Sequence, residues 1–338
     1  MYLSDYKGVS HNLQLTRFLL AILVIFNHSF ALSTGNASEE WLVLITNGQM
    51  TFGGFAVSLF FLCGGYYAAR TVIVKQDNRY LLHRLIRLIP ELAIVIVSCV
   101  MIGAIISNCS FREYFEDIRT WRYLLNAVMV LQHDLPGVFE GNVYAQTVNG
   151  ALWTLPVEFI CNIGCFVANK CMLLKRNTIL ISTLIILVLE YGIWWLGFRY
   201  DILRSVIIPS IMFFVGILYF LFSEHIKMVW WLAVLAVSAF CFLTVLGCMK
   251  VGMVVFLPYA LFCLWFSDRQ IPQALGRTGD YSYALYLWGF PVQQTVVSMY
   301  GGSMIPYVNF LISLPIALFL ALITHRLTCV VRGRWQYA

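Results

Sequence analysis

Long apolar runs follow one another along almost the whole chain, with short polar segments between them. A helix needs about 20 apolar residues to cross the hydrocarbon core of a bilayer. Runs of that order cover residues 13–33, 50–74, 88–107, 149–169, 178–197, 204–223, 228–248, 251–267, 281–300 and 304–325. Residues 123–131 are apolar too, but they are too short to span. The stretch after them, QHDLPGVFEGNVYAQTVNG, has loop chemistry. The pattern therefore predicts an all-α membrane protein of about ten transmembrane helices, with 123–131 interfacial or re-entrant.

Composition agrees. The chain is 61% hydrophobic and 11% charged, where an average globular chain carries about 25% charged residues. A soluble protein of this size could not bury so much apolar surface. The formal charge of +6 reports topology rather than nucleic acid, because cytoplasmic loops of membrane proteins hold the excess of Lys and Arg. With the amino terminus inside, basic residues on the cytoplasmic segments outnumber those outside by more than two to one. The outer ones are Arg112, Arg119, Arg122, Arg199, Arg204 and Lys250. Both N- and C-termini are then cytoplasmic. The chain is expected to be one multi-pass domain over residues 1–338, in the plasma or inner membrane, with no extra soluble domain. No cleavable signal is evident, since the first run carries Arg17 and His28 and lacks a small-residue cleavage site after it. The ten cysteines lie almost entirely in apolar runs, with no CxxC pair or Cys/His metal spacing, and read as reduced packing residues. No repeat relates the two halves, which argues against an inverted-repeat transporter.

Ionisable residues inside apolar spans are costly and mostly functional. The first run, RFLLAILVIFNHSF at 17–30, holds Arg17 and His28 eleven residues apart. At about 100° and 1.5 Å per residue, they fall within about 20° of one face and about 16 Å apart along the axis. Taken alone, the pair fits a proton relay or a general base. It also fits a structural use, with Arg17 snorkelling to headgroups and His28 bonded to a neighbouring helix.

Other segments add chemistry. NRYLLHRLIRLIP, residues 78–90, sets Arg84 and Arg87 three apart on one side of a helix entering the membrane. The planar, always charged fork of arginine suits phosphate, although a positive-inside anchor would look the same. NGALWTLPVEF, residues 149–159, carries Glu158 at a depth matching that of His28. A carboxylate within hydrogen-bond reach of an imidazole holds its tautomer and raises its basicity, and Pro156 breaks the local helical ladder. A protonated, helix-bridging glutamate is the plainer use. Glu91 and Glu190 are the competing intramembrane carboxylates, Glu91 being nearer the cytoplasmic end and better placed to pair with an arginine. SLFFLCGGYYAAR, residues 58–70, brings Gly64 and Gly65 to the second span, where they permit close helix packing or leave a groove for a thin ligand. Packing is the commoner use. GRTGDYSYALYLWGFPVQQ, residues 276–294, gathers Tyr281, Tyr283, Tyr286 and Trp288 as interfacial belts do, with Gln293 and Gln294 farther along as lining for a polar cavity. His83, His133 and His325 read as structural.

In order and spacing these segments resemble the acyltransferase-3 family of integral membrane acyltransferases. The resemblance rests on Arg17-x10-His28, FFLCGGYY, the RxxR of Arg84 and Arg87, LWTLPVE ending at Glu158, and SYALYLW near residue 285. It runs from residue 17 to residue 292, nearly the whole chain. It implies transfer of an acyl group, commonly acetyl, from a cytoplasmic acyl-CoA to a glycan at or beyond the outer membrane face. It further implies a catalytic His28, Glu158 at the family's acidic position, and Arg17, Arg84 and Arg87 associated with the donor. Acetyl-CoA is the donor so implied, with no metal. Members often read YLWH before F-P, whereas here Gly289 follows Trp288, so the histidine of that position is taken as auxiliary. Many relatives carry an added hydrolase-like extracytoplasmic domain, which this chain is expected to do without.

Residues and resemblance together yield an expected mechanism. Arg84 and Arg87 hold the nucleotide end of acyl-CoA. The pantetheine arm enters a tunnel between the first span and the stretch of Gly64, Gly65 and Tyr66, with Trp153, Tyr283 and Tyr286 as lining. The rise from Arg17 to His28 is comparable with the length of that arm, so the thioester reaches the imidazole. His28 acts as general base on an acceptor hydroxyl or carries the acyl group transiently, and Glu158 orients it. The expected partners are acyl-CoA, membrane lipid and a lipid-linked or extracytoplasmic glycan (capsule, exopolysaccharide or O-antigen unit), with no nucleic acid. The rival is a proton-coupled transporter of a lipid-linked sugar or small anion, in which Arg17, His28 and Glu158 form the relay.

Overall fold

A computed structural model of the chain describes residues 1–195 and 201–335. Arg199 lies outside the described residues, as do the side chains of Glu190, Arg204, Arg332 and Arg334. The principal helices are α1 (His11–Thr34), α2 (Phe52–Val74), α3 (Tyr80–Ile106), α4 (Thr154–Lys170), α5 (Arg176–Trp195), α6 (Asp201–Leu221), α7 (Trp230–Val245), α8 (Met249–Val255), α9 (Leu257–Trp265), α10 (Ser282–Met299) and α11 (Pro306–Trp335). Among the described residues the only β pairing is an isolated antiparallel bridge between Tyr2 and Lys227.

Among the described residues, five helices are long and apolar enough to cross a membrane: His11–Thr34, Phe52–Val74, Tyr80–Ile106, Gly150–Lys170 and Pro306–Cys329. Three shorter apolar helices cover Arg176–Leu189, Ser205–Leu221 and Trp230–Val245. In hydrocarbon a backbone must satisfy its own hydrogen bonds, and helices do so within one segment. The chain is an all-α membrane protein. Residues 123–131 do not form a span. Two short helices, Phe111–Glu116 and Ile118–Arg122, lead into a 3-10 turn at Tyr123–Val128. The run 251–267 divides into α8 and α9 at Phe256, just before Pro258, because proline cannot donate to the ladder.

The chain forms two compact units. One comprises residues 1–20, 41–82 and 157–277, the other residues 21–40, 83–156 and 278–338. In the first, α2 and α6 cross almost backbone to backbone. A Cβ on Gly65 would stand 1.9 Å from the carbonyl oxygen of Phe213, and one on Gly216 would stand 2.2 Å from that of Leu62. Small residues are what permit such an approach. Tyr66, beside Gly65, is buried against Phe220, Phe262 and Phe266, with ring centroids 5.8, 5.1 and 5.3 Å away. Asn12 ties the start of α1 to the turn after α9. Its Nδ2 donates to the carbonyls of Leu264 and Arg269 at 2.8 and 2.9 Å, and its Oδ1 accepts from the Ile271 amide at 3.0 Å.

The second unit is built on α10 and α11. Trp288 Nε1 donates to Thr324 Oγ1 at 2.9 Å, and Asn309 Nδ2 on α11 donates to Ser33 Oγ at 2.9 Å. The irregular segment before α4 is laid onto α10 by three amides. Asn142 Nδ2 donates to Gln294 Oε1 at 2.8 Å, while Gln294 Nε2 donates to the carbonyls of Tyr144 and Thr147 at 2.7 and 2.8 Å. Asn149 Nδ2 donates to the carbonyl of Leu287 at 3.0 Å. A loop with its backbone groups paired in this way can lie against the helix without leaving polar atoms stranded.

Candidate functional site

His28 lies near the carboxyl-terminal end of α1, within the second unit. Its Nδ1 is buried and has no hydrogen-bond partner among the described residues. The ring of Phe290 stands edge-on to the imidazole, centroids 5.1 Å apart. Phe290 in turn meets the half-exposed ring of Tyr144, centroids 6.1 Å apart. Gly150 lets the turn before α4 close on the same ring, since a Cβ there would come to 2.7 Å from Phe290 Cε2.

The α10 helix also holds the turn of α1 that ends at His28. Gln293 Nε2 donates to the carbonyl of Ile25 at 2.8 Å. A Cβ on Gly289 would meet Ile25 Cγ1 at 2.5 Å. The place that relatives often give to histidine is therefore filled here by an isoleucine of α1. Gly289, Phe290 and Gln293 form one face of α10 by their i, i+1, i+4 spacing. Sequence reasoning passed over Phe290, because a phenylalanine in an apolar run carries no signal of its own, and Tyr144, because it lies in an irregular polar segment. The available cue was the spacing of Phe290 from the adjacent polar Gln293.

Several expected lining residues gather in the same unit. Tyr286 donates to the carbonyl of Ala151 at 2.8 Å and lies 2.7 Å from Thr154 Oγ1. It thereby fixes the 3-10 turn Gly150–Trp153, which carries the half-buried Trp153. Tyr283 reaches the carbonyl of Leu88 at 3.5 Å, next in sequence to Arg87. Arg84 and Arg87 both lie in the first turns of α3, Arg84 half-buried and Arg87 exposed. Glu91, 2% exposed, sits one turn on, 3.5 Å from His325 Nδ1 and 3.3 Å from Thr328 Oγ1.

Arg17 and Glu158 belong to the first unit, as does Cys63 of α2. Glu158 Oε1 lies 3.3 Å from the point where a Cβ on Gly64 would stand, beside the Phe213 ring at 3.6 Å. The missing side chain of Gly64 is thus the seat of the Glu158 carboxylate, and Gly65 is the contact with α6. The backbone under Glu158 is fixed as well. Asn162 Nδ2 donates to its carbonyl at 2.7 Å, and Tyr80 bonds Asn162 Oδ1. Pro156 does not break a helical ladder. It occupies the first turn of α4, where its missing N–H has no partner to lose. A cleft of about 730 Å³ in this unit is lined by Asn12, Met228, Trp230, Leu264, Asp268 and Arg269 among others. None of the residues singled out from the sequence lies on its wall.

His28 is an ionisable, partly buried residue within an apolar helix, and such groups are costly there and mostly functional. The chain belongs to the acyltransferase-3 family: the family described as an acyltransferase domain matches residues 10–326. It is similar to an O-acetyl transferase of Shigella phage Sf6, 28% identical over 322 residues that cover 90% of each chain. No solved structure matches it.

Proposed function

We propose that this membrane acyltransferase is an O-acetyltransferase. It moves an acetyl group from acetyl-CoA on the cytoplasmic side to a hydroxyl of an extracytoplasmic glycan, a capsule, exopolysaccharide or O-antigen unit. The family and the name of the phage relative support the reaction class. The observation that carries the reading is His28, whose buried Nδ1 is unpaired and whose ring is held by Phe290. In this reading the imidazole takes the proton of the acceptor hydroxyl as its oxygen attacks the thioester carbonyl. The C–S bond then breaks, and the departing CoA thiolate recovers the proton. Arg84 and Arg87 hold the phosphates of the donor. Arg17 is a further donor-side cation, and Glu158 is the second catalytic group.

The proposed topology has ten spans and both termini inside. The five long helices, the three shorter apolar ones, α10 and the broken α8–α9 pair supply them, in the plasma or inner membrane. Purified His28→Ala protein is expected to lose transfer yet bind CoA, whereas Arg84→Ala and Arg87→Ala weaken CoA binding. Undiminished acetylation by the His28 variant overturns the assignment. Mass spectrometry of surface glycan from a deletion strain, read for the loss of one acetyl mass per repeat unit, identifies the acceptor.

A further inference from the structure

Gln293 and Gln294 are neighbours on α10 and both are fully buried, yet their hydrogen bonding differs. Gln294 uses both ends of its amide, accepting from Asn142 and donating to the carbonyls of Tyr144 and Thr147. Gln293 uses one end. Its Nε2 donates to the carbonyl of Ile25, which sets the orientation of the amide, and its Oε1 has no hydrogen-bond partner among the described residues. Buried polar atoms are paired in the great majority of cases, and one that is not calls for a use. Ile25 stands one helical turn before His28, whose Nδ1 is also buried and unpartnered. Phe290, three residues before Gln293, packs on that imidazole. The two unpaired atoms therefore lie on the same seam between α1 and α10, one on each helix.

We infer that Gln293 Oε1 is a donor-binding group, which accepts a hydrogen bond from the pantetheine amide nearest the thioester of acyl-CoA. This rests on the reading of His28 as the base at that thioester. An amide oxygen can only accept, so its ligand must bring an N–H or O–H. The acceptor glycan offers hydroxyls and the pantetheine arm offers amide N–H groups. Position favours the arm. Ile25 lies on the amino-terminal side of His28 in α1, the side the charge pattern turns toward the cytoplasm, and the three-residue rise to His28 is about 4.5 Å. From the thioester carbonyl carbon to the first pantetheine nitrogen, an extended chain covers about 5 Å. An amide anchored at Gln293 leaves the thioester level with the imidazole.

Titration calorimetry of CoA, and of its nucleotide half adenosine 3′,5′-bisphosphate, tests this on purified wild-type, Gln293→Met and Gln293→Glu proteins. Gln293→Met is expected to weaken CoA about five-fold, the weight of one ordinary hydrogen bond, and to leave the bisphosphate unchanged. Gln293→Glu, protonated in its buried place, keeps both an acceptor oxygen and an O–H donor for the Ile25 carbonyl and is expected to bind CoA nearly as wild type does. Equal CoA affinity in wild type and Gln293→Met overturns the inference and leaves the proposed function standing. So does a Gln293→Glu protein as weak as Gln293→Met, or a loss of both ligands alike, which marks a structural role. Unchanged CoA affinity with a raised KM for the acceptor assigns Oε1 to the glycan hydroxyl instead. A wild-type protein that binds neither ligand overturns the donor reading itself, and the inference with it.

Discussion

The imidazole of His28 and the ring of Phe290 meet edge to face, centroids 5.1 Å apart with 76° between their planes. Such pairs contribute about 0.5–1.5 kcal/mol beyond burial. That is modest for the fold, but it restricts the swing of a group that must meet a reacting hydroxyl. Phe290→Leu is expected to stay folded and to lower acetyl transfer about ten-fold, in kcat more than in KM, because small misplacements cost rate steeply. Steady-state kinetics, with CoA binding as the control, checks this. Wild-type kcat would remove Phe290 from the site.

Gly64 and Gly65 adjoin in sequence but should answer substitution differently. A methyl on Gly65 runs into the Phe213 backbone and one on Gly64 meets the tip of the Glu158 carboxylate at 3.3 Å. Gly65→Ala must part α2 from α6 and is expected to cost about 1–3 kcal/mol. Gly64→Ala is expected to leave Tm near wild type while changing activity through Glu158. Gly164, with nothing within 4 Å of its would-be Cβ, is the control. Alanine there should stabilise by up to about 1 kcal/mol through helix propensity. Thermal denaturation in one detergent ranks the three, and a Gly65→Ala protein as stable as Gly164→Ala would contradict the close crossing.

Gly289 and Ile25 form a matched pair. Gly289→Ala is expected to destabilise by about 1–3 kcal/mol, since its Cβ would sit 2.5 Å from Ile25 Cγ1. Trimming the partner should relieve it. The double variant Ile25→Ala/Gly289→Ala is expected to be more stable than the sum of the single changes predicts, and a double-mutant cycle measures that coupling. Strict additivity would refute the contact.

Acid should loosen the segment between α3 and the 3-10 turn at Tyr123. Asp117 accepts from the Arg119 amide at 2.8 Å and from its guanidinium at 2.7 Å. These bonds hold its carboxyl below the usual aspartate range. Glu113 is lowered likewise by the Ser110 hydroxyl and amide, at 2.7 and 2.9 Å. A lowered carboxylate pKa adds stability that is present above the unfolded value and is lost as pH falls through the folded one. The helical turns at 111–122 are therefore expected to be ordered at neutral pH and to loosen below about pH 4. Amide-exchange protection of this segment across the acid range measures it. Asp117→Asn should flatten most of the dependence, and an unchanged profile would remove Asp117 as its source.

Hydropathy located most helices because it reports a local, repeated cost, the exposure of backbone and charge to hydrocarbon. The observed α1, α2 and α10 lie within two residues of the expected runs. It placed the start of α3 eight residues late, since Tyr80–Arg87 is helical but interrupted by His83, Arg84 and Arg87, and hydropathy marks hydrocarbon, not helix. It joined α8 and α9, where the local chemistry of Pro258 decides otherwise. Arg17, His28, Arg84, Arg87 and Glu158 were legible as candidates because charge in an apolar run is conspicuous. Phe290 and Tyr144 were not, since their importance comes from what they touch.

By itself the sequence determined the all-α membrane class, the family, and the presence of an arginine and a histidine on one face of the first helix. These follow from run length, composition and helical period, which are properties of single segments. Tertiary structure alone decided that Gly64 seats a carboxylate while Gly65 meets a backbone. It alone decided that Ile25 fills the place beside Gly289, and that Gln293 keeps one amide oxygen unpaired near His28. Each of these depends on which distant helix arrives at the residue. A glycine or glutamine has no fixed use until a neighbour from elsewhere in the chain occupies the space or the hydrogen bond it leaves open.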